Sequence, residues 1–424
     1  MPSETQPGLM RLGDVCEIFD GPHATPKKIE EGPFFLSISS LDNGRLDLSR
    51  SAHLSEEDFA KWTRRVTPRE GDVVFSYETR LGEAALVPAG LRCCLGRRMG
   101  LLRPKAGELL PRFLLYAFLA PRFQRVITER QVSGSTVPRI LLTEMGDYPI
   151  EVPPLDDQRR TVEVLGSLDE KVESNERLAS LLEETAATLF RARFVDFVGV
   201  SDLIETEIGP IPAGWRMASL SDLISVTRGI SYKSADFGES EVALVGLKAI
   251  QRGGGYTSRG IRSYTGPFKK EHVLATGDIL VAHTDLTQGA AVLGAPARVP
   301  SWEAHTRLVP SLDLAIVRPR EGVATGEYLL GVLSTEAFKN HARARSSGTT
   351  VLHLARGAVG EFPMAVPPAS EITEYTSQVR PILQMADALR GEAQTLAALR
   401  DGLLPRLISG QGLRESLPAP VEIA

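Results

Sequence analysis

The stretch PPLDDQRRTVEVLGSLDEKVESNERLASLLEETAATLFRARFVDF, Pro153 to Phe197, decides the fold. After its two prolines, Leu165, Leu168, Val172, Asn175, Ala179, Leu182, Ala186, Leu189 and Arg193 follow at alternating spacings of three and four. This is a seven-residue repeat, the mark of a helix that packs along its length against another. A second stretch carries the same pattern in Val379, Ile382, Ala386, Leu389, Ala393, Leu396, Arg400, Leu403 and Leu407, each 214 residues beyond its counterpart. The stripe is interrupted by Asn175, Arg193 and Arg400. A helix covering these positions extends roughly 40 Å at about 1.5 Å per residue. Alone it cannot bury its stripe, and its twin is the evident partner, parallel or antiparallel.

Each helix follows a proline pair, Pro153-Pro154 and Pro367-Pro368. Proline holds the preceding residue extended and tolerates the first helical turn, so the pair ends a strand and begins a helix. Asp156 and Asp157 place negative charge where the helix dipole favours it.

The duplication extends outward from there. VSGSTVPRI (Val132 to Ile140) is echoed by SSGTTVLHL (Ser346 to Leu354). RLGDVCEIFDG (Arg11 to Gly21) matches SLSDLISVTRG (Ser219 to Gly229), and EGDVVFSYETRLGEAALV (Glu70 to Val87) matches TGDILVAHTDLTQGAAVL (Thr276 to Leu293). GLLRP (Gly100 to Pro104) pairs with AIVRP (Ala315 to Pro319), and FLLYAFLAPRFQ (Phe113 to Gln124) with YLLGVLSTEAFK (Tyr328 to Lys339). Short β-branched runs between Gly, Pro and Asp turns predict a mixed sheet-and-helix region in each copy. The expected organisation is a first globular region over 1–152, a spacer helix over 153–204, a second region over 205–366, a second helix over 367–412 and a loose tail over 413–424.

The chain has 424 residues, enough for two to four domains, with 42% hydrophobic and 24% charged side chains. No apolar run of about 18 residues predicts a membrane span, and the N-terminus lacks a secretion pattern, so a cytoplasmic location is expected. Cys16, Cys93 and Cys94 form neither a disulfide framework nor a metal-ligand spacing. Net charge is −5, and residues 155–204 alone hold 6 Lys/Arg against 11 Asp/Glu. Elsewhere basic clusters stand out: Arg92, Arg97, Arg98, Arg103 and Lys105; Arg252, Arg259, Arg262, Lys269 and Lys270; Lys339, Arg343, Arg345 and Arg356. Local potential, rather than net charge, governs contact with phosphate.

Catalytic constellations are missing from the sequence. It has no Walker loop, no GxGxxG after a strand, no HExxH, no paired-cysteine zinc spacing, no GxSxG and no Asp/Asn-Pro-Pro-aromatic methylation motif. No catalytic residue and no metal site is expected. The pattern is that of a reader.

The residues PPLDDQRR with a helix ending LFRARFVDF (Leu189 to Phe197) resemble the specificity subunit, HsdS, of type I restriction–modification enzymes. So do the second helix ending LRDGLLPRLISG (Leu399 to Gly410), the loop DGPHATPKK (Asp20 to Lys28) and the Ser-Gly-x-Thr pairs. The second Pro-Pro runs on as PPASEITEY, without the Gln-Arg-Arg. The resemblance implies an α+β protein. Two mixed α/β target recognition domains in pseudo-two-fold repeat would be separated by two long antiparallel coiled-coil helices. Each domain would read one half of a bipartite, asymmetric double-stranded DNA target, while the helices set the half-site separation. It also implies docking of two methyltransferase (HsdM) subunits, recruitment of motor–nuclease (HsdR) subunits, and a role in phage defence. S-adenosylmethionine and ATP with Mg would belong to those partners and not to this chain.

Candidate DNA contacts are Gly21, His23, Thr25, Lys27, Lys28, Arg97, Arg98, Ser133, Ser135, Thr136 and Arg139 in the first copy. In the second they are Tyr232, Lys233, Arg262, Lys269, Arg343, Arg345, Ser347, Thr349 and Thr350. Small donors on glycine-kinked loops let backbone approach a phosphate, and Arg adds charge or guanine contacts; plain turns and a solvated surface are the competing account. Helix pairing is assigned to Leu165, Leu168, Val172, Asn175, Leu182, Leu189, Val379, Ile382, Leu389, Leu396 and Leu403. Leu178, Leu181, Phe190, Phe194 and Phe197 widen the stripe, either into the chain's own core or as a face for partner docking. Two rival functions are a DNA-reading subunit of a related methylation or phage-defence complex and a two-lobed protein–protein scaffold without DNA binding.

Overall fold

In the computed structural model the described residues are 8–132, 137–286, 289–301, 307–349 and 351–410. They mix helices with sheets and divide into two compact units. One comprises Met1–Lys171 with Leu396–Ala424, the other Val172–Thr395.

The first unit is built on an antiparallel sheet in the order Cys16–Asp20, Met99–Pro104, Val73–Ser76, Ala84–Leu86. The second repeats it as Ile224–Arg228, Leu314–Pro319, Ile279–Ala282, Pro296–Arg298. A smaller sheet in each unit contains one parallel pair, Ile29–Leu36 with Cys93–Leu95 and Val242–Val245 with Arg307–Pro310. Val, Ile and Leu fill the central strands because both faces are covered.

The matched words of the sequence become matched interactions. Asp72 of EGDVV is 1% exposed and holds Arg103 of LLRP at 2.7 Å. Asp278 of TGDIL holds Arg318 of IVRP at 2.6 Å. Each arginine therefore ties the middle strand to the turn that starts its neighbour, and Arg103 is used internally. Arg92 is also held, by both oxygens of Glu56. All three cysteines are free and buried; desolvation pushes each thiol up to about 12.

A pair of short helices covers each sheet, Pro111–Leu119 with Pro121–Glu129 and Gly326–Ser334 with Glu336–Ala344. Their starts use different chemistry at equivalent places. The first copy puts proline in the opening turn. The second caps with Thr325 and Thr335, whose hydroxyls accept from the amides of Tyr328 and Phe338.

The long helices run Leu155–Phe194 and Ala369–Ile408, each 40 residues. Gln158 explains the Pro-Pro-x-x-x-Gln spacing. It is fully buried, its amide donates to the carbonyls of Glu108 and Pro153, and its oxygen accepts from Leu110 N. In the second copy Ile372 stands at that place, 3% exposed, and does the same job by apolar packing.

Within each unit the helices pack antiparallel. In the first, Thr161 donates to Leu407 O, and Arg400 reaches Asp169 at 2.7 Å. In the second, Asn175 donates to Glu392 at 2.9 Å, Arg390 pairs with Glu183, and Arg193 pairs with Glu374. Partner numbers fall as helix numbers rise. The three residues that interrupt the apolar stripe thus supply cross-helix polar contacts. Leu165, Val172, Asn175 and Val379 are buried, whereas Leu168, Leu182, Ile382, Leu389, Leu396 and Leu403 are half-buried.

Two expectations on the first helix need correction. Leu189 does not continue the buried stripe; it is 37% exposed, and Phe190 takes the inward position at 5%. Phe190 and Phe194 are not a partner-docking face. They pack into the second unit's own core against Tyr328 and Tyr375, with Phe194 and Phe197 also meeting Trp215. A straight helix turns 3.6 residues per turn and drifts from a strict 3.5 repeat, which moves the seam by one residue near its end. Leu178 and Leu181 remain exposed, at 46% and 50%.

Truncating a buried phenylalanine costs about 3–5 kcal/mol, and a surface change stays within about 0.5 kcal/mol. Phe194→Ala is therefore expected to destabilise the second unit strongly while Leu178→Ala leaves it unchanged, as read by denaturant unfolding.

Candidate nucleic-acid interface

Both units end their main sheet in the same construction. Asp20 leads into Gly21, and Arg228 into Gly229. A methyl group on Gly21 would stand 2.7 Å from the carbonyl oxygens of Gly96 and Met99; on Gly229 it would stand 2.0 Å from Ser311 O. Only glycine lets the backbone pass this close, which is why it recurs at this place in the repeat.

The second Ser-Gly segment folds back onto the strand that follows the GDIL word, and the described residues flanking the first lie against the chain that follows GDVV. In the second unit Ser346–Ser347 and Leu352–Leu354 pair as a hairpin, and Leu352–Leu354 pairs with Thr284–Asp285. Gly348 turns there at φ 122°, where an added methyl would meet Val351 O at 2.0 Å. In the first unit Val132 N donates to Arg139 O, Ile140 N to Tyr77 O and Thr79 N to Pro138 O. In the second copy the repeated phrase is thus a hairpin laid beside His283–Asp285, and in the first the flanking residues Pro138–Ile140 lie beside Tyr77–Thr79. Ser133, Ser135, Thr136 and Thr350 lie outside the described residues.

Several candidates of the first copy come together. Thr25, Lys28, Arg97 and Arg98 line one depression of about 330 Å³ with Ser37 and Ser39. Arg98 sits at φ 71° and its side chain pairs with Glu78, whose backbone lies antiparallel to Arg139. Asp20 accepts from Tyr77 Oη at 2.9 Å and contacts His23 Nε2 at 2.8 Å. Burial and the Asp20 carboxylate raise the Tyr77 phenol above its ordinary range, so it stays a donor. Lys27 is exposed in the same loop.

In the second copy the candidates form a different surface. Arg262 lies 3.6 Å from the centre of the Phe237 ring, which Tyr232 and Tyr264 flank edge-on. Stacking of this kind orients the guanidinium plane. Lys233 is exposed beside Tyr232, and Lys269 faces Glu271 at 3.8 Å. Arg343 contacts Asn340, Arg345 is ion-paired with Glu361, and Ser347 stands opposite His353 in the hairpin. Thr349 lies in the turn. Ser37, Ser39 and Phe237 were missed by sequence reasoning; the serines lie in a segment without a repeat partner, and an isolated phenylalanine gives no signal.

Among the described residues no group of His, Cys, Asp and Glu is placed to hold a metal, and no helix is long and apolar enough to cross a membrane.

The arrangement is two copies of one scaffold that present different polar side chains from equivalent positions. A family model described as the type I restriction modification DNA specificity domain matches residues 7–184. Those residues are similar to the specificity domain of type I restriction–modification enzymes. The type I restriction enzyme MjaIX specificity subunit of Methanocaldococcus jannaschii is 22% identical over 423 residues, covering 95% of this chain and 93% of that one. The MjaX specificity subunit of the same organism is 24% identical over 226 residues, so the chain spans about half of it, 52%. The type I restriction–modification S subunit from M. genitalium shares the fold, with a TM-score of 0.53 at 13% identity over 96% of this chain and 97% of that one. The side chains at the ends of the sheets are this chain's own.

Gly229→Ala is expected to destabilise the second unit by about 1–3 kcal/mol, since a backbone oxygen must move to admit the methyl. Thermal unfolding checks this; an unchanged midpoint would show that the turn yields freely.

Proposed function

We propose that this chain is the non-catalytic DNA-reading subunit of a type I restriction–modification complex. Each unit's sheet end, with the segment packed beside it, contacts one half of a bipartite target, and the paired long helices set the half-site separation. The observation that carries this reading is the reuse of one scaffold, register for register, with unlike side chains at its tips. Unlike tips reading unlike base edges make the target asymmetric. A rod of packed helices has few soft degrees of freedom, so its length fixes which half-sites are reached together.

Two methyltransferase subunits dock on the helical portion in this reading, and motor–nuclease subunits join the assembly. S-adenosylmethionine and ATP with Mg act in those partners. Leu178 and Leu181, the most exposed large apolar residues described on the first helix, are those that such docking would cover. The complex operates in the cytoplasm, where its DNA is.

Filter binding of the full chain to duplex DNA tests the reading. Phosphate contacts make affinity fall steeply as salt rises from about 50 to about 200 mM; flat or absent binding favours a protein scaffold. Methylome sequencing of a strain carrying the complex should show a split motif. Replacing residues 1–150 with another reader should change one half of that motif, and lengthening both helices by a heptad should change its gap.

A further inference from the structure

The segment that leaves the first long helix is chemically unlike the basic loops. Six of the twenty large apolar side chains exposed among the described residues fall within it: Val195, Val198, Val200, Leu203, Ile204 and Ile208, with Val198 at 72%. Between Arg193 and Arg216 there is no lysine or arginine, while Asp196, Asp202, Glu205 and Glu207 add four carboxylates. Asp196 is held by Arg191 at 3.2 Å; the other three are exposed and, among the described residues, engage no cation. A surface of this sign repels phosphate and is unsuited to DNA. Exposed apolar area of this density marks a protein-binding surface.

The backbone gives this surface a direction. Leu203–Thr206 and Gly209–Pro212 pair as an antiparallel hairpin, with no third strand among the described residues. Leu203 stands opposite Pro212 and Glu205 opposite Pro210, while Ala213 N donates to Asp202 O at 2.9 Å. Bonded and non-bonded pairs alternate along such a ladder, so the bonded pairs fall at Ile204 and Thr206, and both prolines take non-bonded places. On the outer side of Gly209–Pro212 the prolines remove the donors. On the outer side of Leu203–Thr206 the amides and carbonyls of Leu203 and Glu205 point away from the hairpin. Among the described residues no backbone bond meets them. One edge is closed and the other is open. Ile211, 2% exposed in the second unit's core, anchors the hairpin, and Thr206 Oγ1 closes its turn by donating to Gly209 O at 2.6 Å. Leu203, Ile208 and Pro210 also border a groove of about 1430 Å³ that has room for apolar side chains.

We propose that the open edge of Leu203–Thr206 is a docking site for an extended, apolar and basic segment of a partner protein, which joins the hairpin as a third strand. Main-chain bonds to Leu203 and Glu205 supply affinity, as in other cases of strand addition. The exposed valine, leucine and isoleucine side chains select apolar neighbours, and a lysine or arginine across from Glu205 completes the match in charge. Such docking requires no DNA and stands or falls separately from target reading.

The full chain is titrated, by fluorescence anisotropy, with a labelled eight-residue peptide alternating valine and lysine. Two controls are its glutamate-for-lysine counterpart and a version methylated on every backbone amide. The lysine peptide should bind, the glutamate peptide about fivefold more weakly or worse, and the methylated peptide not at all. Leu203→Pro removes an outward amide and leaves the hairpin's own bonds, so it should weaken binding about tenfold with an unchanged melting midpoint. Glu205→Lys should weaken the lysine peptide about fivefold. Equal binding of the three peptides, wild-type affinity in both variants, or no binding of any peptide would overturn the docking site. A wild-type dimer that Leu203→Pro dissociates would give the edge to a second copy of the chain and overturn the basic partner. Duplex affinity and its salt slope should be the same in Leu203→Pro as in the wild type; their loss would place this surface within the DNA contact and refute its separate role.

Discussion

An apolar stripe that no single helix can bury alone is the constraint from which the rest follows. Residues 155–194 and 369–408 are helical over 40 positions each. Their inward faces carry small or polar residues at intervals, Ala179, Ala186, Ala386 and Ala393 among larger side chains. Alanines allow close approach of the backbones, while Asn175, Arg193 and Arg400 find cross-helix partners. Ion pairs at half-exposed positions contribute little to stability, typically below about 1 kcal/mol. Their value lies in register, since a slipped pairing would leave buried or half-buried polar groups unmatched.

Much of the fold was legible because duplication exposes it. A strand read twice at a near-constant offset is stronger evidence than one read once, and the paired words GDVV/GDIL and LLRP/IVRP fall on equivalent strands joined by equivalent ion pairs. The sheet order and the parallel pair in each unit were not legible, since both depend on contacts between distant segments. The helix periodicity located the seam as far as Ala186 and then failed by one residue, because the aromatic cluster around Tyr328 and Tyr375 draws Phe190 inward.

The candidate interface was partly legible. Glycine, serine and lysine in the loops drew attention because their chemistry is unusual at such spacing, and Thr25, Lys28, Arg97 and Arg98 do line one depression. Basic clusters were a weaker guide. Arg92, Arg103 and Arg345 are occupied by Glu56, Asp72 and Glu361, and nothing in a single sequence distinguishes a paired arginine from a free one.

Gln158 carries a consequence for how such a protein can diversify. Its side chain is bonded to the peptide groups of Glu108, Leu110 and Pro153, so the entry to the first long helix is keyed to a loop 48 to 50 residues upstream of Gln158. Recombination that joins a foreign globular region at the proline pair inherits this lock without its key, unless the incoming segment offers carbonyls and an amide at the same place. Ile372 imposes no such directional demand. The second half of the chain is accordingly the more permissive junction for shuffling.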